Sequence, residues 1–188
     1  RVLFRSLTAP TSNSGGAFTY TSSNTAVATV TSGGMVTIVG AGSTTITATQ
    51  AATTNYTSGA VSTSLVVSPI APTIGTLTAP SKNFGDASFN LTAPTSNSGG
   101  AFTYTSSNTA VATVTSGGMV TIVGAGSTTI TATQAATTNY TSGAVSASLV
   151  VSPIAPTIGT LTAPSKNFGD ASFNLTAPTS DKIGRAHV

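Results

Sequence analysis

The sequence has no cysteine, no tryptophan and no glutamate, and its one histidine, His187, stands next to the last residue. Without cysteine there is no disulfide and no thiolate chemistry. A serine or threonine nucleophile needs a base held by a third group. The only imidazole available for that sits in the final hexapeptide, "IGRAHV". Charge is equally scarce: Asp, Glu, Lys and Arg together make 5% of the chain, against roughly 25% in an ordinary soluble domain. No apolar run reaches the ~18 residues that mark a membrane-crossing helix. No secretory signal is legible at the start.

What remains is a chain of Thr, Ser, Gly, Ala and Val, 39% hydrophobic, with 19 Gly and 9 Pro as punctuation. Thr and Val favour a pleated, half-buried surface, whereas Gly and Pro are poor helix formers. The apolar fraction is too high for disorder driven by low hydrophobicity and high charge. The composition predicts an all-β protein.

Self-comparison gives one dominant match. Residues Leu7 to Asn90 return as Leu91 to Asn174, a period of 84, and the two copies differ only in Thr63 against Ala147. A third copy starts at Leu175 and departs at Asp181, where the earlier copies have Asn13 and Asn97. Solenoid repeats have periods of roughly 20–50 residues, so a period this long describes a whole small domain in tandem.

The two ends do not belong to the repeat. "RVLFRS" and "IGRAHV" can be encoded by DNA strings that are reverse complements over most of their length, as a sequencing adaptor read in both directions would be. Residues 1–6 and 183–188 are therefore taken as translated adaptor, with the Lys182 codon spanning the junction. Arg1, Arg5, Arg185 and His187 leave the charge count with them. Lys82, Lys166 and Lys182 then balance Asp86, Asp170 and Asp181. The formal charge of +3 is thus no sign of a nucleic-acid partner.

Framed between two "SPIAPT" joints, whose prolines suggest short and fairly stiff linkers, residues 70–153 form one complete module. Residues 7–69 are a partial module lacking its first strands, and residues 154–182 hold first strands only. Inside the module "TIGTL" is predicted as a strand and "APSKNFGDA" as a turn-rich segment. "SFNLT" and "AFTYTS" alternate, with Phe89, Leu91, Phe102 and Tyr104 on one face. "NTAVATVT" follows, then "SGG" as a hairpin turn into "MVTIV". "TTITAT" turns Thr128, Ile130 and Ala132 to one side. "AVSASLVVS" turns Val145, Ala147, Leu149 and Val151 inward. About seven short strands at this spacing predict a β-sandwich, and no window carries a helical stripe.

The stretch "FTYTSSNTAVATVTSGGMVTIVGAGSTTITATQ" resembles the bacterial immunoglobulin-like domain of group 2, the intimin/invasin type. The resemblance rests on Tyr104, Ser106 to Asn108, Val111 to Val114, Gly118 to Val120, and Gly126 with Ile130 to Thr133, and it recurs 84 residues earlier from Tyr20. The family more often has Trp where Tyr104 stands. The resemblance implies tandem immunoglobulin-like β-sandwich modules, one complete and two partial, on an extracellular or surface protein of a bacterium, typically an adhesin or its stalk.

No residue is assigned a catalytic, cofactor-binding or metal-ligating role, and no cofactor is expected. Each repeat offers one carboxylate, Asp86 or Asp170, too few for a paired-carboxylate enzyme or a calcium-stiffened joint. "NFGDA" reads as a tight turn in which a side chain bonds the backbone. "VGAGS" at Val123 to Ser127 lacks the third glycine and following helix of a dinucleotide site. Sequon matches at Asn55, Asn90, Asn139 and Asn174 are coincidences of a Thr-rich chain. The exposed row Thr129, Thr131 and Thr133 is read as a solvated strand face, with binding to flat polysaccharide or ice as the alternative. The partners expected are neighbouring modules of the same chain, with neither nucleic acid nor a membrane-spanning segment involved. The leading expectation is a non-catalytic spacer or stalk. The alternatives are an adhesive module that takes a glycan or protein receptor through "TSNSGG" or "QAATTNYTSG", and an accessory domain of a secreted enzyme. In the C-terminal partial module lie the strands the N-terminal one lacks; fraying of both ends is the plainer expectation, with strand addition between them, within the chain or between chains, as its alternative.

Overall fold

The computed structural model describes residues 4–6 and 8–180, and these contain strands and turns but no helix. The strands of the first repeat are β1 (Phe4–Ser6), β2 (Phe18–Ser22), β3 (Ala28–Val30), β4 (Met35–Ile38), β5 (Gly42–Gln50) and β6 (Gly59–Val67). Those of the second are β7 (Lys82–Asn83), β8 (Phe89–Asn90), β9 (Phe102–Ser106), β10 (Ala112–Val114), β11 (Met119–Ile122), β12 (Gly126–Gln134) and β13 (Gly143–Ser152). In the second repeat they form two sheets, in the orders β7-β13-β12-β9 and β10-β11-β8. The first repeat has the matching sheets β2-β5-β6 and β1-β4-β3.

The backbone of each unit is the long hairpin. β12 and β13 pair antiparallel from Gly126↔Val151 to Gln134↔Gly143. Thr128, Ile130 and Ala132 point inward and are buried, and on β13 Leu149 and Val151 join them. This is the alternation expected of a half-buried strand. Opposite lie Ala112 and Val120 of the smaller sheet, with Val111 just before it. Tyr104 and Leu77 complete one buried cluster, against which Phe84, Phe89, Leu91 and Phe102 pack. The immunoglobulin-like β-sandwich expected from the sequence is the fold.

Three details differ from expectation. "TIGTL" is not a strand: Ile74 makes one isolated bridge to Ser96. Pro72 has no N–H to give, and the Asn97 side chain accepts from Thr73 N at 2.8 Å instead of a neighbouring strand. Conversely, the segment read as turn contains β7, which pairs parallel with the end of β13 through Val151↔Lys82 and Ser152↔Asn83. Its turn follows at once, with Asn83 N donating to Asp86 Oδ2 at 2.9 Å. Finally, Phe4–Ser6, expected to lie outside the fold, pairs antiparallel with β4 in the register Arg5↔Val36 and Ser6↔Met35. β8 meets β11 in the same way through Phe89↔Val120 and Asn90↔Met119. Strand pairing asks only for an extended backbone, so an open edge accepts unrelated side chains.

The turn at "SGG" shows why the glycine is needed. Gly118 has φ +89, and a Cβ there would stand 3.1 Å from the Tyr104 ring. A side chain would therefore meet both left-handed backbone strain and the ring. Burial holds the Tyr104 phenol above its ordinary pKa of 10.0, because desolvation disfavours the phenolate. With the folded pKa above the unfolded one, the stabilisation is complete below about pH 10 and is lost as pH rises through the folded value. Tyr104→Phe is expected to abolish that alkaline loss while leaving the neutral-pH melting temperature nearly unchanged. Thermal melts between pH 8 and pH 12 check it, and an undiminished loss would assign the alkaline sensitivity elsewhere.

Candidate functional site

Two sets of loops singled out in the sequence meet at one end of each sandwich. "TSNSGG", leading into β9, is held by Gln134 at the end of β12. Gln134 Nε2 donates to Ser98 O at 3.0 Å and Gly100 O at 2.8 Å, while Gln134 Oε1 accepts from Ser96 Oγ at 2.7 Å. The amide is 1% exposed, so these bonds replace water for groups that cannot otherwise be solvated. Gln50 makes the same three contacts in the first repeat, to Ser12, Ser14 and Gly16, but is only half-buried. Nothing in the strand pattern marks this glutamine. The one available signal is a polar residue at an inward position of β12.

The "SSN" of the family motif is also structural. Thr128 is buried, and its Oγ1 accepts from Asn108 N at 2.9 Å and lies 2.8 Å from Ser106 Oγ. Asn108 Oδ1 accepts from Ala110 N at 3.1 Å, closing the turn before β10. On the outer face, Thr131 Oγ1 pairs across the strands with Ser146 Oγ at 2.9 Å. Part of the threonine row is thus used in cross-strand bonding. "VGAGS" is the link between β11 and β12, with Val123 N and Gly124 N both donating to Val111 O.

"QAATTNYTSG" supplies the contact between repeats. Asn139 Oδ1 accepts from Ala41 N of the first repeat at 2.7 Å. Its own carbonyl accepts from Ile70 N at 3.1 Å, and Ile70 O accepts from Thr141 N at 2.9 Å. One residue therefore ties the β4–β5 turn of one unit, the linker, and the loop of the next. In the sequence Asn139 is only a chance sequon match, and no spacing rule there marks its role in the joint. The loop offered for adhesion is, in the second repeat, turned toward its neighbour.

Among the described residues no three of His, Cys, Asp and Glu come together in a way that could hold a metal ion. Asp86 and Asp170 each close a local turn through Asn83 N and Asn167 N. His187 and Asp181 lie outside the described residues. Among the described residues no helix is long and apolar enough to cross a membrane.

A family model described as the immunoglobulin-like domain of intimin matches residues 8–52 and 90–136. No curated protein matches the chain. Three solved structures illustrate what it is similar to. Domains 1–6 of the surface layer protein SbsC share 21% identity at a TM-score of 0.33, with 88% of this chain and 25% of that one covered. A SusE-like surface located polysaccharide binding protein of Bacteroides thetaiotaomicron shares 14% at 0.34, with 72% and 29% covered. A 282-residue C-terminal fragment of intimin, in complex with the intimin-binding domain of its translocated receptor, shares 18% at 0.33, with 77% and 54% covered. The chain spans 25% to 54% of the length of these three.

Proposed function

We infer that this chain, a member of the intimin-type immunoglobulin-like domain family, is a non-catalytic spacer in a protein of a bacterial cell surface or secreted from it. The observation that carries this reading is the Asn139 joint. A single side-chain amide links two units to each other and to the Pro-bounded linker. Because the period repeats, every unit presents both halves: the acceptor in its loop (Asn55, Asn139) and the donor in its turn (Ala41, Ala125). A joint of this kind propagates along an array of any length. Function then lies in reach and stiffness, with 70–153 as the repeating unit. The nine residues of β12 span ~30 Å at about 3.3 Å each, which sets the scale of the reach each unit adds.

The adhesive alternative needs the same loops to be free, and in the second repeat the preceding unit occupies part of that surface. A glycan or receptor would have to use the loop around Asn55 of the first repeat. The accessory-domain alternative finds support neither in the geometry nor in the family match.

Asn139→Ala removes the acceptor for Ala41 N and is expected to loosen the joint without unfolding either unit. The cysteine-free chain allows clean spin labelling at the exposed pair Thr29→Cys and Thr113→Cys. The distance distribution between the labels should be narrow in the parent and at least twofold broader in the Asn139 variant, at an unchanged melting temperature. A parent distribution that is already broad would sink the spacer reading.

A further inference from the structure

We propose that β9 and its counterpart β2 are pairing edges for a second copy of this chain, so that copies lie side by side, like edge against like edge.

The two flanks of the second sandwich are built differently. One is formed by β7 and β8, strands of two residues each. Pro80 precedes β7, Lys82 lies in it, and Asp86 stands in the turn that follows. Lys82 and Asp86 are the only charged residues between 70 and 153. Very short strands, proline and charge are the usual means of keeping a sheet edge from pairing. The opposite flank is formed by β9, five residues long, and β10, which ends the smaller sheet beside it. From Phe102 to Val114 there is neither a charge nor a proline. The same is true of residues 18–30, which carry β2 and β3. The protection lies on one side, and the longer edge has none.

The main chain of β9 is set for a partner. Ala135 N donates to Ala101 O at 2.9 Å, and Ser107 N to Thr129 O at 3.0 Å. Bonded and non-bonded pairs alternate along an antiparallel ladder, so Thr103 and Thr105 exchange their bonds with Thr133 and Thr131. The main-chain groups of Phe102, Tyr104 and Ser106 therefore point away from β12. Among the described residues no turn or loop main-chain group bonds to them. β10 is less open, being three residues long and having its Ala112 N–H taken by Asn108 O at 3.2 Å. Phe102 and Tyr104 keep their rings against the core, while Thr103 and Thr105 are exposed on the outer face. A strand can thus be added without uncovering anything.

The occupant that fits is the same strand. When two copies of "FTYTS" meet antiparallel about Tyr104, each Tyr104 exchanges its N–H and C=O bonds with Tyr104 of the second copy. Phe102 does the same with Ser106 of the second copy, and the reverse. Thr103 then stands opposite Thr105 of the second copy in the closer, non-bonded pair, where threonine hydroxyls can bond across the strands. No charge is buried and none is opposed, because the edge carries none. The contact uses one surface twice and closes on itself. Every copy of the chain supplies a strand of the matching length twice, in β2 and in β9, and a second contact made by the same pair of chains strengthens the first. This pairing is lateral and does not involve the joint at Asn139.

The full chain tests this by sedimentation velocity at low ionic strength over a range of concentrations. Its weight-average mass is expected to rise at least twofold as concentration increases. Two variants change only the exposed threonines of the edges. Thr19→Lys, Thr21→Lys, Thr103→Lys and Thr105→Lys together set lysine opposite lysine in every pair, and this variant should stay at the monomer mass. Thr19→Lys, Thr21→Glu, Thr103→Lys and Thr105→Glu together set lysine opposite glutamate, and association should return to the parent level. Both should melt within a few degrees of the parent, since the changed side chains lie on an exposed face. A parent chain that stays monomeric at every concentration overturns the proposal. So does a four-lysine variant that associates like the parent, which would place the contact elsewhere. A lysine–glutamate variant that remains monomeric overturns it as well, because the antiparallel register about Tyr104 requires that rescue.

Discussion

Leu149→Ala is expected to lower the stability of the second repeat by about 2–5 kcal/mol, and Leu65→Ala that of the first by roughly half as much. The residues are the same, at the same place in the same hairpin, paired with Thr128 and Thr44. What differs is cover: Leu149 is 0% exposed beneath the segment around Leu77, and Leu65 is half-buried beside an open edge. A cavity left by a fully enclosed methyl cluster has no water to fill it, so the lost transfer energy and the cavity term add. At the edge the unsubstituted side chain already meets solvent, so less is lost. Calorimetry should show two transitions in the parent, the higher from the second repeat. Leu149→Ala should move that transition down by roughly 8–40 °C, using about 4–8 °C per kcal/mol for a unit of this size. Equal shifts from the two substitutions would mean that the two leucines are equally covered in solution.

Gln134→Ala should be nearly as damaging, at about 2–4 kcal/mol, although it removes no hydrophobic contact. The Ser98 and Gly100 carbonyls lose their donor in a place from which solvent is excluded, and each orphaned group costs about 1–3 kcal/mol. Gln134→Glu separates shape from chemistry. The side chain still fits, but at neutral pH it sets a buried charge against two carbonyl oxygens that need a donor. It should therefore be worse than alanine at pH 7 and should recover as pH falls, because the protonated acid regains one donor. A glutamate variant as stable as the parent at pH 7 would show that the clamp is not what holds "TSNSGG" in place. Gln50→Ala should cost less, since water reaches a half-buried amide.

The parts of the fold written in local alternation were legible in the sequence. The inward rows of β12 and β13 follow from Thr128, Ile130 and Ala132 and from Val145 to Val151. The β10–β11 hairpin follows from two glycines before Met119. "TIGTL" misled because Ile74 and Leu77 have strand chemistry, yet they pack on the core without a ladder, next to a proline. β7 was hidden because two residues are too few for a period, and because its partner on β13 is some seventy residues away in the chain. The Gln134 clamp and the Asn139 joint were hidden for a related reason. Each depends on one polar side chain meeting backbone groups of a distant segment, and no spacing rule connects Asn139 with Ala41.

The parallel pairing of β7 with β13 bears on how the second repeat responds to force. In a spacer under tension, the chain is drawn from the joint before Ile70 and from the joint after Pro153. β7 lies near the first and β13 ends at the second, running in the same direction. Pulling therefore slides the two strands past one another, and the bonds at Lys82, Asn83 and Phe84 are strained together rather than one after another. A zipper opens under a small load because each bond fails alone. A shear clasp resists until all of its bonds fail at once, even when it is as short as this one.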